Sequence, residues 1–514
     1  MKLQGRFELK TGKLVMENEG VQEFHESEFD IAAADTMQKE FCTDLSEQWK
    51  EKKNHFYNDR DEMFLVTFRN GKTFHAAADM SSYNLDFYYT VHDGILYYST
   101  DLLELLKESR IPRKLNLRGA RIFLANGFIL GKETLVENVF KLEFGKELIA
   151  DESGVQQIAY PYSIDESLKE ADLKPVYADY MRESIDRHIN ADGDIFIPLS
   201  AGYDSNFILD AIQRKTARTI HAFTVGSVEG TNEIERVSKN ISLLSHVQHH
   251  TGLVTKETFQ AYPDIIWRLQ GSCYESGIFL QYVMARLAAE AGAKSMVCGE
   301  SADEVQKETY IPNMHAVLEG KIIPEDQSYA YCNPFINTNL LVLKKSSLML
   351  DSFGIIGVYP FKDKRIVSAG YAMRHLNGLK KKYFKECCRR DLNPEVMANI
   401  IKSGGTTELW SVIDAEGIDR LRSLIGTLPI WEAINDSTEI RVTDRVRKAK
   451  ADHDRKRWIK KHILNENLPD LDETPVRQLY ILLFEELFLS GKYDMQKEAP
   501  FTTEEFLRTE GNQE

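Results

Sequence analysis

The stretch Ser200-Ala-Gly-Tyr-Asp-Ser205 sets two serine hydroxyls, a glycine and a carboxylate between two apolar runs. Gly202 lets the backbone come close to a ligand, and amides at the start of a following helix can face an anion. Ser200 and Ser205 add hydroxyl donors. Asp204 would repel a phosphate unless Mg²⁺ sat between them. The combination suits a phosphate together with its metal. It lacks the lysine of the G-x-x-x-x-G-K-[ST] loop, so that phosphate loop is not the match. Small residues also end strands for packing alone. A second turn, Cys298-Gly-Glu-Ser-Ala-Asp-Glu304, adds weight, because it too follows an apolar run and sets Glu300, Asp303 and Glu304 after Gly299. If both turns close strands of one sheet, Asp204 and Asp303 converge and share Mg²⁺ on a nucleotide's phosphates.

The elements that must position these turns are legible in outline. VYADYMRESIDRHI has helical spacing, GDIFIPLS reads as a strand, and a helix is expected from Asn206 to Lys215. TIHAFTVGS is expected as a second strand, NEIERVSKNISLLS as a helix and KSMVCGES as a third strand after the helix LQYVMARLAAEAG. This alternation predicts a parallel sheet with helices on its faces, and ligands sit beyond the carboxyl ends of such strands. Residues 1–165 are strand-rich instead. Hairpins are expected around Asn70-Gly71 and Asp93-Gly94, further strands from Phe140 to Gly154, and a short helix at Leu102 to Ser109. That part reads as an antiparallel α+β domain. The stretch Asp165 to Pro175 marks the expected boundary, with 166–514 as the second domain and a mostly helical part from about Ala330.

Composition narrows the class. A chain of 514 residues exceeds one compact core, and 43% hydrophobic with 28% charged residues is ordinary for a soluble protein. The net charge of −15 opposes general nucleic-acid binding. The basic segment Arg445 to His462 reads either as a solvated helix face or as an arm for an anionic substrate or partner. No apolar stretch is long enough for a bilayer, and the opening MKLQGRFELK has no signal-peptide core. The six cysteines are scattered, with no metal-ligand spacing. They read as reduced thiols in the cytoplasm, with Cys387-Cys388 packed in a helix.

SAGYDS resembles the Ser-Gly-Gly-x-Asp-Ser pyrophosphate loop of the N-type ATP pyrophosphatases. Within that group the chain resembles the asparagine synthetase family, which includes β-lactam and carbapenam synthetases and lasso-peptide cyclases. GESADE is similar to the family's Gly-Glu-Gly-Ser-Asp-Glu turn, and YPFKDKRIV (Tyr359 to Val367) to its Pro-Phe-Leu-Asp-Lys-Arg segment. LKKKYFKECC and NPEVMANIIKSGGTT follow in the family's order. The resemblance implies a glutaminase-like (Ntn-hydrolase-like) domain followed by a parallel-sheet ATP pyrophosphatase domain of the adenine-nucleotide α-hydrolase type. It implies a Mg²⁺- and ATP-dependent ligase that adenylates a carboxylate, releases pyrophosphate and passes the acyl group to a nitrogen nucleophile. Ser200, Gly202, Asp204 and Ser205 would then hold the pyrophosphate end, with Asp204 and Asp303 on Mg²⁺. Val225 and Gly226 would lie near the adenosine, and Gly299 and Glu300 would line the nucleotide and acyl site. Lys402 would stabilise developing charge. Lys381 would reach phosphate, with Lys380 and Lys382 competing for that place.

The implied partners are a small-molecule or peptide carboxylate, an amine or ammonia donor, a leader peptide or carrier, and a second copy of the chain. No nucleic acid or membrane is among them. The chain also departs from the family. No cysteine stands at the start, Ala78 replaces the usual arginine beside Asp79, Ala201 replaces a loop glycine, and Ser301-Ala302 replaces Gly-Ser. Phe353 stands where the β-lactam and carbapenam enzymes carry a tyrosine. The expectation is therefore a ligase without glutaminase activity. The alternatives are a specialised peptide or natural-product cyclase or amidase of the same family, or a catalytically inactive nucleotide-binding scaffold.

Overall fold

The computed structural model describes residues 2–26, 29–34, 41–52, 64–78, 85–108, 110–143, 145–159, 164–189, 192–228, 232–318, 321, 334–401, 409–437 and 473–510. Among the described residues, eleven strands precede residue 160. They are β1 (Gln4–Glu8), β2 (Lys13–Met16), β3 (Gln22–His25), β4 (Phe29–Ala34), β5 (Leu65–Asn70), β6 (Thr73–Ala78), β7 (Tyr88–His92), β8 (Ile95–Ser99), β9 (Phe140–Lys141), β10 (Lys146–Asp151) and β11 (Gly154–Ala159). They form two antiparallel sheets of order β2-β1-β8-β7-β9 and β11-β10-β6-β5-β4-β3. Both expected hairpins form. The turn glycines Gly71 and Gly94 take φ of 59° and 74°, the left-handed region that glycine enters freely. Alternation along the strands sends Phe7, Phe74, Tyr98 and Leu148 into the space between the sheets, where Phe74 and Tyr98 pack with ring centroids 4.8 Å apart. Helix Phe41–Lys52 lies on β3 and β4, and helix Leu102–Leu106 on β7 and β8.

The parallel part begins with β12 (Ile195–Pro198), β13 (Ile220–Ser227) and β14 (Val247–Val254), in that order in the sheet. Two expectations are corrected here. The strand after β13 is β14, a half-polar edge strand, VQHHTGLV, whose alternation of buried and open positions is too weak to read as a strand. The strand before the acidic turn, β15 (Ser295–Val297), is not hydrogen-bonded into the β12–β14 ladder. It runs beside β12 and pairs in parallel with β16 (Ile356–Val358). The helix after β12 spans Tyr203–Lys215, not Asn206–Lys215. Gly202 serves as its N-cap, and the Asn206 side chain donates back to the carbonyls of Ser200 and Gly202 at 2.9 and 2.7 Å. Asp204 and Ser205 thus belong to the first helical turn.

Most of the described chain after Pro334 is helical, including Leu343–Ser352, which packs on helix Ile278–Glu290, and Lys382–Asp391, where Cys387 and Cys388 are both buried. Among the described residues no helix is long and apolar enough to cross a membrane.

Candidate active site

β12 ends at Pro198, which has no amide hydrogen to extend the ladder. The chain then turns through Leu199 to Gly202 into the helix. Internal bonds hold this loop. The Ser205 hydroxyl lies 3.0 Å from that of Ser200 and accepts from the Ser200 amide at 3.1 Å, while the Gly202 amide donates to Ser200 Oγ. The Ala201 amide donates to Glu233 Oε2 at 2.7 Å. Burial raises the pKa of Glu233, and the Ala201 bond works the other way. Sequence reasoning missed Glu233. Its place just ahead of helix Ile234–Ile241 was the only available signal.

β15 delivers the second turn alongside. A Cβ on Gly299 would lie 3.5 Å from the Ser205 amide nitrogen, so the two turns touch. Asp204 and Asp303 meet on a single cation. Lys381 Nζ lies 2.5 Å from Asp204 Oδ1 and 3.0 Å from Asp303 Oδ1. Among the three consecutive lysines, Lys380 and Lys382 are exposed and Lys381 is buried. Burial raises the Asp204 pKa, opposed by Lys381 and reinforced by Asp303. Burial disfavours the Lys381 charge, but the two carboxylates outweigh it and raise its pKa.

These groups line a cavity of about 510 Å³, within the usual range for small-molecule sites. Ser200, Gly202, Asp204, Ser205, Val225, Gly299, Glu300, Asp303 and Lys381 all face it. Gly226 is not on its wall. A Cβ there would lie 2.7 Å from the Asn232 side chain, so close packing explains this glycine. Lys402 and the basic segment Arg445–His462 lie outside the described residues. The chain leading to Lys402 is tied to the loop, because the Ile401 amide donates to the Ala201 carbonyl at 2.9 Å. Phe353 stacks on the Arg268 guanidinium at 3.9 Å.

Around the expected Glu300 the cavity wall holds polar partners that the sequence did not reveal. Glu300 Oε1 accepts from Ser346 Oγ at 3.3 Å and from Gln281 Nε2 at 3.4 Å, and Tyr359 donates to Ser346 at 3.0 Å. Lys345 pairs with Glu275. Burial raises the pKa of Glu300, against its bonds and the Lys345 charge. Glu300 Oε2, Gln281 Oε1 and Ser301 Oγ are buried with no hydrogen-bond partner among the described residues. Ser301 also sits at φ 74°, where a glycine would be unstrained.

Six carboxylates and three lysines line the cavity. A polyphosphate entering it would be repelled without an added cation. Asp204 and Asp303 present hard oxygen ligands that already converge on one positive centre, which fits Mg²⁺.

Residues 177–310 match the family described as asparagine synthase. No curated protein matches the chain. Among solved structures, the U34-tRNA thiolase NcsA from Methanococcus maripaludis with its 4Fe–4S cluster is 11% identical over 44% of this chain and 77% of its own, at a TM-score of 0.22. The allosteric regulatory enzyme of purine biosynthesis is 9% identical over 55% of this chain and 72% of its own, at 0.19. Glutamine phosphoribosylpyrophosphate amidotransferase from B. subtilis, complexed with ADP and GMP, is 8% identical over 55% and 72%, at 0.17. At such TM-scores the likeness carries no argument about this chain.

Proposed function

We propose, from the premise that residues 177–310 form an asparagine synthase domain of an ATP-utilising amidation and ligation family, that the chain is an AMP-forming amide ligase. The carrying observation is the meeting of Asp204 and Asp303 on one cation beside the Ser200–Ser205 loop, at a cavity that also holds Glu300. The loop and the first helical turn would hold the pyrophosphate end of ATP, with Val225 on the adenosine side. Asp204 and Asp303 would hold Mg²⁺, which supplies charge neutralisation to the phosphates when bound.

An oxygen of the substrate carboxylate attacks the α-phosphorus, and the bond to pyrophosphate breaks. An amine nitrogen then attacks the acyl carbon, AMP leaves, and the amine gives up its proton. Glu300 is suited to take that proton, because Oε2 has no bond to hold it and burial raises its basicity. Lys381 and Lys385 at the phosphate end, and Lys402, offset developing negative charge.

In this reading residues 1–165 are a degenerate glutaminase-like domain and 166–514 the ligase. Ala78 stands in place of the arginine. Cys42, the cysteine nearest the start, is buried, and burial pushes its thiol up to about 12, where it is no nucleophile at neutral pH. The nitrogen then comes from ammonia, a partner or an amine on the substrate.

The test is pyrophosphate release from Mg-ATP in the presence of hydroxylamine, across a panel of carboxylates including aspartate, uronic acids and peptides. Release that depends on one acid and is lost in Asp204→Ala is expected. ATP bound with no release for any acid would favour the scaffold alternative, and no ATP binding would refute the nucleotide assignment of the loop.

A further inference from the structure

Lys381 is placed differently from the acids it holds. Its side chain is 2% exposed, whereas Asp204 and Asp303 are 24% and 39% exposed and face the cavity. The side chain is enclosed. Nζ lies 5.4 Å from the centroid of Phe384, a buried ring that packs in turn on Phe207 and Phe361. The backbone of Lys381 sits at φ 52°, in the left-handed region, as the N-cap of helix Lys382–Asp391. The ammonium is therefore a buried part of the cavity wall, held between the two acids.

This arrangement changes what a metal ion meets on entering from the cavity. Each carboxylate already has its Oδ1 engaged by Lys381. The trio of two carboxylates and one ammonium carries one net negative charge, where the acids alone would carry two. Coulomb attraction to a divalent ion falls in proportion, and at this separation the ammonium also repels the ion directly. Phosphate oxygens from a nucleotide would restore both the ligands and the charge.

We propose that Lys381 is a built-in counter-cation that keeps the nucleotide-free site from retaining a divalent metal, so that metal is held only together with the nucleotide. The inference rests on the reading above in which Asp204 and Asp303 are the metal ligands. It adds an order of assembly to that reading.

The experiment is Mn²⁺ uptake by the full chain, read as loss of the free-ion electron paramagnetic resonance signal. It is run with and without α,β-methylene-ATP, which cannot release pyrophosphate, and uptake with nucleotide is counted only beyond the loss that the same nucleotide causes without protein, since its phosphates bind Mn²⁺ themselves. Wild type should leave Mn²⁺ free without nucleotide and take it up with it, and Asp204→Asn should lose that uptake. Lys381→Met should bind Mn²⁺ alone at least about tenfold more tightly than wild type, and Lys381→Arg should behave as wild type.

The methionine variant leaves two acids without their cation, so its fold is checked by circular dichroism. The two wild-type titrations decide the matter even where that variant does not fold. Equal Mn²⁺ affinity in wild type with and without nucleotide overturns the inference, as does a folded Lys381→Met that binds no more tightly than wild type. Bound nucleotide with no Mn²⁺ uptake in wild type, or uptake unchanged in Asp204→Asn, overturns the metal assignment beneath it instead.

Discussion

Lys344, Lys345 and Ser346 follow one another on a single helix, and each meets a different acid. Lys344 Nζ lies 3.1 Å from Asp86, Lys345 pairs with Glu275, and Ser346 bonds Glu300. Asp86 comes from the strand-rich part of the chain, just ahead of β7. It is 6% exposed and accepts hydrogen bonds from Ser272 at 2.6 Å and Tyr88 at 3.2 Å, near the buried Lys141. Burial alone would raise the Asp86 pKa, but the Lys344 and Lys141 charges hold it at about 2 against an ordinary 3.8. That difference is worth about 2.5 kcal/mol of stability at neutral pH.

Replacing Asp86 with asparagine forfeits this and strands two buried lysines, so the expected loss is about 3–5 kcal/mol. Burial already lowers the Lys141 pKa against the pull of Asp86. In the variant one lysine can therefore shed its proton, which limits the loss. The stabilisation is fully present above the unfolded value of 3.8 and is lost as pH falls through about 2. The gap between wild type and Asp86→Asn should therefore be widest at neutral pH and narrow below pH 4. The assay is urea unfolding followed by tryptophan fluorescence for wild type, Asp86→Asn, Lys344→Met and the double variant. A coupling of about 2 kcal/mol or more is expected between the two sites. An Asp86→Asn midpoint equal to that of wild type, or strictly additive effects, would refute the reasoning.

Three further outcomes are expected. Glu300 has a raised pKa, so the folded chain binds more protons there than the unfolded chain and loses stability as pH rises above the ordinary value of 4.5. Glu300→Gln should accordingly melt higher than wild type at pH 7 to 8 and equally at pH 4, and a gap that does not change with pH would contradict this. Ser301→Gly relieves a left-handed serine and an unpartnered buried hydroxyl. Set against the added freedom of the unfolded glycine, the net gain should be about 1 kcal/mol, and a lowered melting temperature would exclude it. Glu233→Ala removes the acceptor of the Ala201 amide. Calorimetric titration with ATP should show weaker binding, and the fold should lose about 1–3 kcal/mol. Unchanged ATP affinity would mean that Glu233 does not shape the loop.

What depends on near neighbours was legible from the residues alone. Asn70-Gly71 and Asp93-Gly94 form hairpin turns because backbone conformation there is a property of two residues and their flanking strands. The strand–turn–helix at Ser200–Ser205 was legible for the same reason, except that the cap at Gly202 starts the helix three residues early. β14 was not legible, because a half-polar edge strand lacks the alternation that marks a sheet face.

The remaining features come from long-range packing. Lys380, Lys381 and Lys382 are chemically identical, and only the left-handed turn at Lys381 and the seating of its ammonium over the Phe384 ring select the one that enters the cavity. Asp204 and Asp303 meet because β15 runs beside β12, although no ladder joins them. Glu275 and Lys345 stand 70 residues apart, and Asp86 reaches Lys344 across half of the chain. The types of these residues are written in the chain. Which of them meet is set by how helices and sheets bury their apolar faces, and residue spacing carries no information about that.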